Sequence, residues 1–328
     1  MSRVLVVNAG SSSLKLRLLG GDDTVEQAAD VEAGPDGVAG DDLTALLDGW
    51  ATPDAVGHRV VHGGTRPVAS VPLTADVERD IKRASVLAPL QNARSLEGIR
   101  AARMALPEAP QVAVFDSGFH ATMPQAAATY AVPEDWRQRF GIRRLGFHGI
   151  NVQWVASQVD ARRLVVCHLG GGCSVTAVLD GRSVDTTMGF TPLEGIPMAT
   201  RSGSFDPGAI VYLLREGLLD LPQLERDLEH RSGLAGLSGG LNGDIREASS
   251  EALDVFVHRV AGAVAAMATA CRGVDHLAFT GGIGEHAADV RDRIEDRVRF
   301  LGDFAVSVVP AREELVIAAE TESVVLDA

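Results

Sequence analysis

Residues 5–16 read LVVNAGSSSLKL and residues 165–176 read VVCHLGGGCSVT. Each is a short apolar strand, a turn of small residues and a second strand. In the first copy Arg3–Val7 is a β-branched run, Asn8–Ser13 the turn, and Leu14–Leu19 an alternating run, which together predict a hairpin. In the second, Leu164–Cys167 is the strand, His168–Gly172 the turn, and Cys173–Leu179 the return, closed by the hairpin signal Asp180-Gly181. Two such copies predict an internal duplication with a ligand held between the halves. Hairpins with small turns are common, so the repeat gains weight only from what surrounds it.

The segments between fit an α/β fold with covered sheets. A softer, acidic, glycine-rich stretch occupies about 20–49. Thr74 is placed to cap a helix with Val77, Ile81 and Val86 at helical spacing and Pro89 as its stop. Gln111–Phe115 reads as a buried strand delivering Asp116 at its end. Asp206-Pro207 opens a helix, cap followed by proline, and a long helix is expected over about 250–271. Strand His276–Thr280, a turn GGIGE, a helix to about Phe300, strand Phe304–Val309 and a last helix opened by Glu313-Glu314 complete the chain. No run reads as a linker.

At 328 residues the chain favours about two domains. Hydrophobic residues at 46% and charged residues at 23% match ordinary globular proteins and argue against disorder and coiled coil. Its apolar runs are read as shorter than the roughly 18–20 residues of a membrane span, and no signal peptide precedes VLVVN. Cys167, Cys173 and Cys271 are too few and too scattered for a disulfide framework or a zinc site. The expectation is a cytoplasmic protein with no membrane partner. Thirty basic against 44 acidic residues leave a net charge of −14, which repels a phosphate backbone, so no nucleic acid partner is expected. Only Lys15 and Lys82 among the basic residues are lysine, and Lys15 sits beside a glycine-serine turn.

Three small-residue turns directly follow apolar strands: Asn8–Ser13, His168–Gly172 and Gly281–Glu285. Phosphates suit such turns because backbone N–H groups approach closely where no Cβ intervenes. None has the P-loop spacing. Singly, each suits an ordinary tight turn as well as a ligand cradle; three in one chain, with hydroxyls and Lys15 beside the first, favour a nucleotide. A second set is charged residues among glycine and apolar neighbours: His58, Arg59 and His62 in GHRVVHGG, Asp116 and His120 in FDSGFH, His148 in RRLGFHG, Glu194 and Arg201 in EGIPMATRSG. Any one of these suits a satisfied core histidine or a surface ion pair; their shared company of small and apolar loop residues sets them apart.

These segments, NAGSSSLKL, GHRVVHGG, FDSGFHATMP, RRLGFHG, HLGGG, MGFTPLEGIPMATRSG, DIRE, FTGGIGE and EELVIA, closely resemble the acetate kinase (acetokinase) family, in the family's order, from Val4 to about Ile317. The resemblance implies the sugar kinase/Hsp70/actin (ribonuclease H-like) fold, two duplicated α/β domains with a nucleotide cleft between them. Residues 1–117, joined by the C-terminal helix at about 311–328, would form the first, and 118–310 the nucleotide-binding second. It implies reversible transfer of the ATP γ-phosphate to acetate, direct and in line, giving acetyl phosphate and ADP. Mg²⁺, with Mn²⁺ as the alternative, and a homodimer are implied as well.

By the family pattern Arg59 would bind the substrate carboxylate through its planar fork. Asp116 would position the acceptor or the metal shell, since a carboxylate nucleophile is already ionised at pH 7. His148 and Arg201 would stabilise the transition state. Asn8 and Glu313 would hold the metal. Lys15, with Ser11 and Ser13, would contact the donor phosphates, and His168, Leu169, Gly170, Gly171 and Gly172 would form a second phosphate loop. Asp244, Ile245 and Arg246, with Gly282, Ile283, Gly284, Glu285 and His286, would border the adenosine. Val61, Leu90, Phe147 and Pro192 match positions lining a small apolar acyl pocket, although as bare residues they read as core. One methylene changes binding by only about 1–3 kcal/mol, so acetate and propionate are left undivided.

The chain is shorter than is usual for that family, before Arg59 and again between Gly284 and Pro310. Gln91 stands where the family has histidine, Gly171 where it has asparagine, Ser204 where it has an acid, and His286 where it has asparagine. These departures lie on the phosphate and nucleotide side, while Asn8, Arg59, Asp116, His148, Arg201 and Glu313 are all present. Three alternatives therefore stand beside an ATP-dependent acetate kinase: a propionate kinase, a pyrophosphate-dependent acetate kinase, and a nucleotide-binding regulatory relative without turnover.

Overall fold

The structure, a computed structural model, describes residues 3–10, 13–32, 40–65, 69–240 and 243–327. The side chains of Ser13, of residues 40–42 and of Leu90 lie outside that description, as does Ser11.

In the first half the strands are β1 (Val4–Ala9), β2 (Ser13–Leu19), β3 (Val25–Glu32), β4 (Ala55–Val60), β5 (Val71–Pro72) and β6 (Gln111–Phe115). Helices α1 (Gly40–Leu46), α2 (Ala75–Ala84) and α3 (Pro89–Ala105) lie between them, followed by α4 (Gln125–Ala128), α5 (Glu134–Phe140) and α6 (Gly149–Gln158). The second half runs β7 (Arg163–Leu169), β8 (Cys173–Leu179), β9 (Arg182–Thr186), α7 (Pro207–Arg215), α8 (Leu221–His230), α9 (Gly233–Leu237), α10 (Ser250–Ala270), β10 (His276–Thr280), α11 (Gly281–His286), α12 (Ala288–Val298), β11 (Ala305–Val308) and α13 (Glu313–Leu326).

Strand order shows the duplication. The first sheet is β3-β2-β1-β4-β6-β5 and the second β11-β10-β7-β8-β9. In each, the opening strand pairs antiparallel with the next (β1 with β2, β7 with β8) and parallel with a later one (β1 with β4, β7 with β10). Reversed, the second order reproduces the first five strands of the first.

Burial on both faces explains the unbroken VLVV of β1. Leu5 and Val7 pack with Leu14, Leu16, Leu43 and Ala101, whereas Val4 and Val6 pack with Val114, Ile150 and Ile317 of the opposite layer. In the second half α10 lays Phe256, Val260 and Val264 on Val165, Cys167, Val175 and Ala177. Helix α6 serves both halves: Ile150 joins the first core, and Val152 and Val155 pack with Leu164, Val166 and Ala278 of the second.

Five expectations change. The glycine-rich stretch contains a third strand, β3, whose alternate residues are exposed, so it lacks the apolar run that marks a strand. Thr74 caps α2 through the Val77 amide, but the helix ends at Ala84 and Val86 is exposed. Pro89 opens α3 instead of closing α2, because its missing N–H is harmless at a first helical position. GGIGE is the short helix α11, not a plain turn. Finally, α10 is long and apolar enough by composition to cross a membrane, but its apolar side is buried on the second sheet.

Helix α13 packs against β1, β4 and β6 and so brings the C-terminal segment to the first sheet. Gly57 in β4 allows the approach: a Cβ there would lie 2.3 Å from Thr321 Oγ1 and 2.8 Å from Ile317 Cγ2. Gly57→Ala is expected to lower stability by about 1–3 kcal/mol through this overpacking. Denaturant unfolding measures it, and an unchanged midpoint would contradict the contact.

Candidate active site

Neighbouring parallel strands end on one edge, and there the first half gathers its charges. Asn8 lies on β1, Arg59 on β4, Asp116 just after β6, and Glu313 begins α13. The carboxyl ends of parallel strands are the usual ligand edge of α/β sheets. Arg59 Nε donates to Asp116 Oδ1 at 3.0 Å and Nη2 to Oδ2 at 2.7 Å, a two-pronged pair with Asp116 fully buried. Arg59 Nη1 reaches Asn8 Oδ1 at 3.3 Å and lies 3.6 Å from Glu313 Oε2, and Asn8 Nδ2 donates to that same Glu313 oxygen at 2.8 Å.

Burial opposes the charge on Arg59, but Asp116 and Glu313 outweigh it and keep the guanidinium protonated. For Asp116 burial wins over the attraction of Arg59, and with repulsion from Glu313 it pushes the carboxyl up. For Glu313 burial is outweighed by Arg59, His168, the Asn8 amide and Lys15, so it stays low.

The second half supplies loops and histidines. His168 lies on β7, and Gly170–Gly172 form the turn to β8. His148 precedes α6 with φ of 58°, in the left-handed region, and its Nδ1 meets Ser174 Oγ at 3.0 Å. The two imidazoles stack with centroids 4.0 Å apart and planes 20° from parallel. His168 Nδ1 receives the Asn151 amide at 2.8 Å. Arg201 donates from Nη1 to the Pro192 carbonyl at 2.8 Å, which fixes it beside the loop. Space is tight at Gly172: a Cβ would lie 3.0 Å from both Arg201 Nη2 and His148 Nε2, so either side chain would have to give. Beneath the loop, Cys173 Sγ donates to Gly170 O at 3.2 Å, with burial pushing the thiol up to about 12.

Asn8, Lys15, Arg59, Val61, Gln91, Asp116, Phe147, His148, His168, Gly171, Gly172, Pro192, Arg201 and Glu313 all line one cavity of about 390 Å³. Its apolar wall is Val61, Phe147 and Pro192. Buried His62, whose Nε2 donates to Phe190 O at 3.0 Å while Gly64 N donates to its Nδ1 at 3.1 Å, ties that wall together across the halves. Leu90, Ser11 and Ser13 were expected here, and their side chains lie outside the described residues.

A second cavity of about 750 Å³ adjoins the first and is lined by Gly170, Gly171, Asp244, Ile245, Arg246, Gly282, Ile283 and His286. The two meet at Gly171. Leu169, Gly284 and Glu285, also expected on this side, do not line it. Leu169 is core, and Glu285 Oε1 instead accepts the amides of Gly281 and Ala311, bracing α11 against the segment that leads to α13. Sequence reasoning missed Ala199, Gly243, Leu253, Ala287, Asp289 and Val290, which complete this wall. It also missed Asn151 and Ser174, for which the only signal was their positions three residues after His148 and two after the HLGGG turn.

Among the described residues no three His, Cys, Asp or Glu side chains converge into a metal cluster. A cation here would meet the oxygens of Glu313 and Asn8, hard donors that suit an ion keeping most of its waters; as placed, Asn8 turns its amide nitrogen to Glu313 Oε2 and its oxygen to Arg59 Nη1, so the amide would rotate to take part.

The model of the acetokinase family matches residues 42–325. An acetate kinase of Nostoc punctiforme is 45% identical over 277 residues, covering 79% of this chain and 68% of that relative. Among solved structures, a propionate kinase from Francisella tularensis superposes with TM-score 0.88 at 35% identity over 98% of this chain and 100% of that one. An acetate kinase from Porphyromonas gingivalis does so with TM-score 0.87 at 31% identity over 99% and 100%.

Burial holds His58, His120 and His168 down to about 4. The unfolded side chains titrate near 6.5, so between the two values the unfolded state binds more protons. Stability is therefore complete above about pH 6.5 and falls as pH drops towards 4, each histidine contributing about 1.4 kcal/mol per pH unit. Denaturant titrations from pH 8 to 4 test this; a flat profile through 6.5–4.5 would contradict neutral burial.

Proposed function

The chain belongs to the acetokinase family and is a kinase enzyme, and on that premise we propose that it transfers the γ-phosphate of ATP reversibly to acetate, directly and in line, forming acetyl phosphate and ADP. One observation carries the reading: a small cavity with an apolar wall and a larger one meet at the loop Gly170–Gly172. An acid in the first and a nucleoside in the second would bring acceptor oxygen and terminal phosphate together at that loop. The larger cavity favours a nucleotide over pyrophosphate as donor.

The roles follow from the geometry. Asp116 holds Arg59 through Nε and Nη2, so the guanidinium plane is set before the acid arrives, leaving one N–H on each terminal nitrogen for the substrate carboxylate. The acid needs no general base because it is ionised at pH 7. Transfer spreads negative charge over the phosphoryl oxygens. Arg201, His148, His168 and Lys15 are the donors around them. Asn8 and Glu313 would hold Mg²⁺, which when bound neutralises part of that charge. Val61, Phe147 and Pro192 would take the acyl methyl and leave room for a two- or three-carbon acid; the likeness to a propionate kinase keeps propionate as the second substrate. Ser11, Ser13 and Leu90 keep the roles implied by the family pattern.

We assign residues 1–117 with α13 to one domain, since α13 packs on the first sheet, and 118–310 to the other. A cytoplasmic homodimer completes the proposal. Phe205, Val211, Tyr212, Leu214, Leu218 and Leu221, on and around α7, are each exposed, a local concentration of apolar side chains that supports association of two copies.

Hydroxamate trapping of acyl phosphate from acetate, propionate and butyrate, with ATP and with pyrophosphate, tests the activity. Turnover with ATP and the shorter acids is expected, with Arg201→Ala reducing kcat about 100- to 1,000-fold. Product only with pyrophosphate would replace the donor, and ATP binding without product would make the chain a regulatory relative. Tyr212→Glu is expected to shift a dimer towards monomer in analytical ultracentrifugation; a wild type that sediments as monomer refutes the interface.

A further inference from the structure

Helix α6 delivers two side chains from its first turn to the phosphate side. His148 caps it, and Asn151, three residues on, lies on the same face. Asn151 is fully buried and spends both amide hydrogens: one goes to His168 Nδ1 at 2.8 Å, the other to Thr280 Oγ1 at 3.1 Å. Its Oδ1 is buried without a partner among the described residues. In this orientation the amide nitrogen, which can only donate, faces the ring, so Nδ1 is the acceptor of that bond.

Resting on the kinase reading above, we infer that Asn151 is a positioning residue that sets the tautomer of His168. With Nδ1 accepting from Asn151, the proton of the neutral ring sits on Nε2, and His168 lines the transfer cavity as a hydrogen-bond donor to phosphoryl oxygens. Stacking against His148 fixes the plane of that donor. A phosphoryl group carries only acceptors on its outer oxygens, so the opposite tautomer would present a lone pair to negative charge. The charged or titratable groups facing His168 are His148, Arg59, Glu313 and Glu285.

Asn151→Asp tests this on the intact chain, because a carboxylate of the same size can only accept from Nδ1. At pH 9 the neutral ring must then carry its proton on Nδ1 and lose the Nε2 donor; the new carboxylate raises the ring from its wild-type value of about 4, and the ring protonated towards pH 6 regains that donor. Nitrogen NMR of histidine-labelled protein reads the tautomer, calorimetry reads ATP affinity, and the hydroxamate assay reads kcat and KM for acetate. At pH 9 the expected result is an Nδ1–H tautomer, weakened ATP binding and kcat about 100-fold below wild type with acetate KM little changed, recovering towards pH 6. An Nε2–H tautomer in the variant at pH 9 overturns the inference. So does a reversed tautomer with wild-type ATP affinity and kcat, or a loss that is the same at both pH values. Wild type without acyl phosphate formation refutes the kinase reading instead, and the tautomer and ATP affinity then decide on Asn151 by themselves.

Discussion

A single buried arginine placed between two carboxylates is the constraint on which the rest depends. Arg59 joins β4 to Asp116 at the end of β6, to Glu313 at the start of α13, and through Asn8 to β1. Removing one partner of such a buried pair leaves an uncompensated charge and costs about 3–5 kcal/mol, so these elements are held in a common register at their ends. The cluster is also one charge short of balance. Two carboxylates share one guanidinium, which is why burial and mutual repulsion push Asp116 up. A divalent cation on Asn8 and Glu313 would relieve that surplus and hold both acids ionised.

Duplication gave two sheets of the same plan, and the two copies then took different work. In the first, the strand ends carry charge and amide oxygen. In the second, the equivalent edge carries a glycine loop and histidines that burial keeps neutral. Neutral imidazoles suit the second place. They donate one hydrogen bond each without drawing in a counterion, and Arg201 and Lys15 already supply positive charge. Helix α6 is packed into both cores, so the histidines His148 and His168 and the pair Arg59–Asp116 are built on one connection: Gly149 N donates to Asp116 O at 2.8 Å.

Much of this was legible because its cause is local. The two strand–turn–strand copies, the cap Thr74, the cap-and-proline Asp206-Pro207 and the strand ending at Asp116 are set by residues within a few positions, and the structure has them where the pattern puts them. What escaped depends on distant partners. Strand β3, VEQAADVE, has no apolar run and exists because β2 offers an edge to pair with. Pro89 could end one helix or begin the next, and only the packing of α3 on β1 and β4 decides. Asn151 and Ser174 look like any polar residue of a helix or strand until His168 and His148 are brought against them by the second sheet.

The glycines of the phosphate side show how much freedom remains. Gly172 is fixed by Arg201 and His148 on one side, and Gly281, with φ of 78°, by the Leu169 carbonyl 2.7 Å from where its Cβ would lie. These two positions lock the β7–β8 turn against α11. Gly171 is different: a Cβ there meets nothing within 4 Å, yet it is the residue shared by both cavities. Sterics do not require glycine at that point. The loop geometry is therefore set by its neighbours, and under the kinase reading proposed above the identity of residue 171 would act on the donor phosphates between the cavities. A fold can hold its acceptor machinery constant and still vary its handling of the donor when the two are separated by one residue with open space above it.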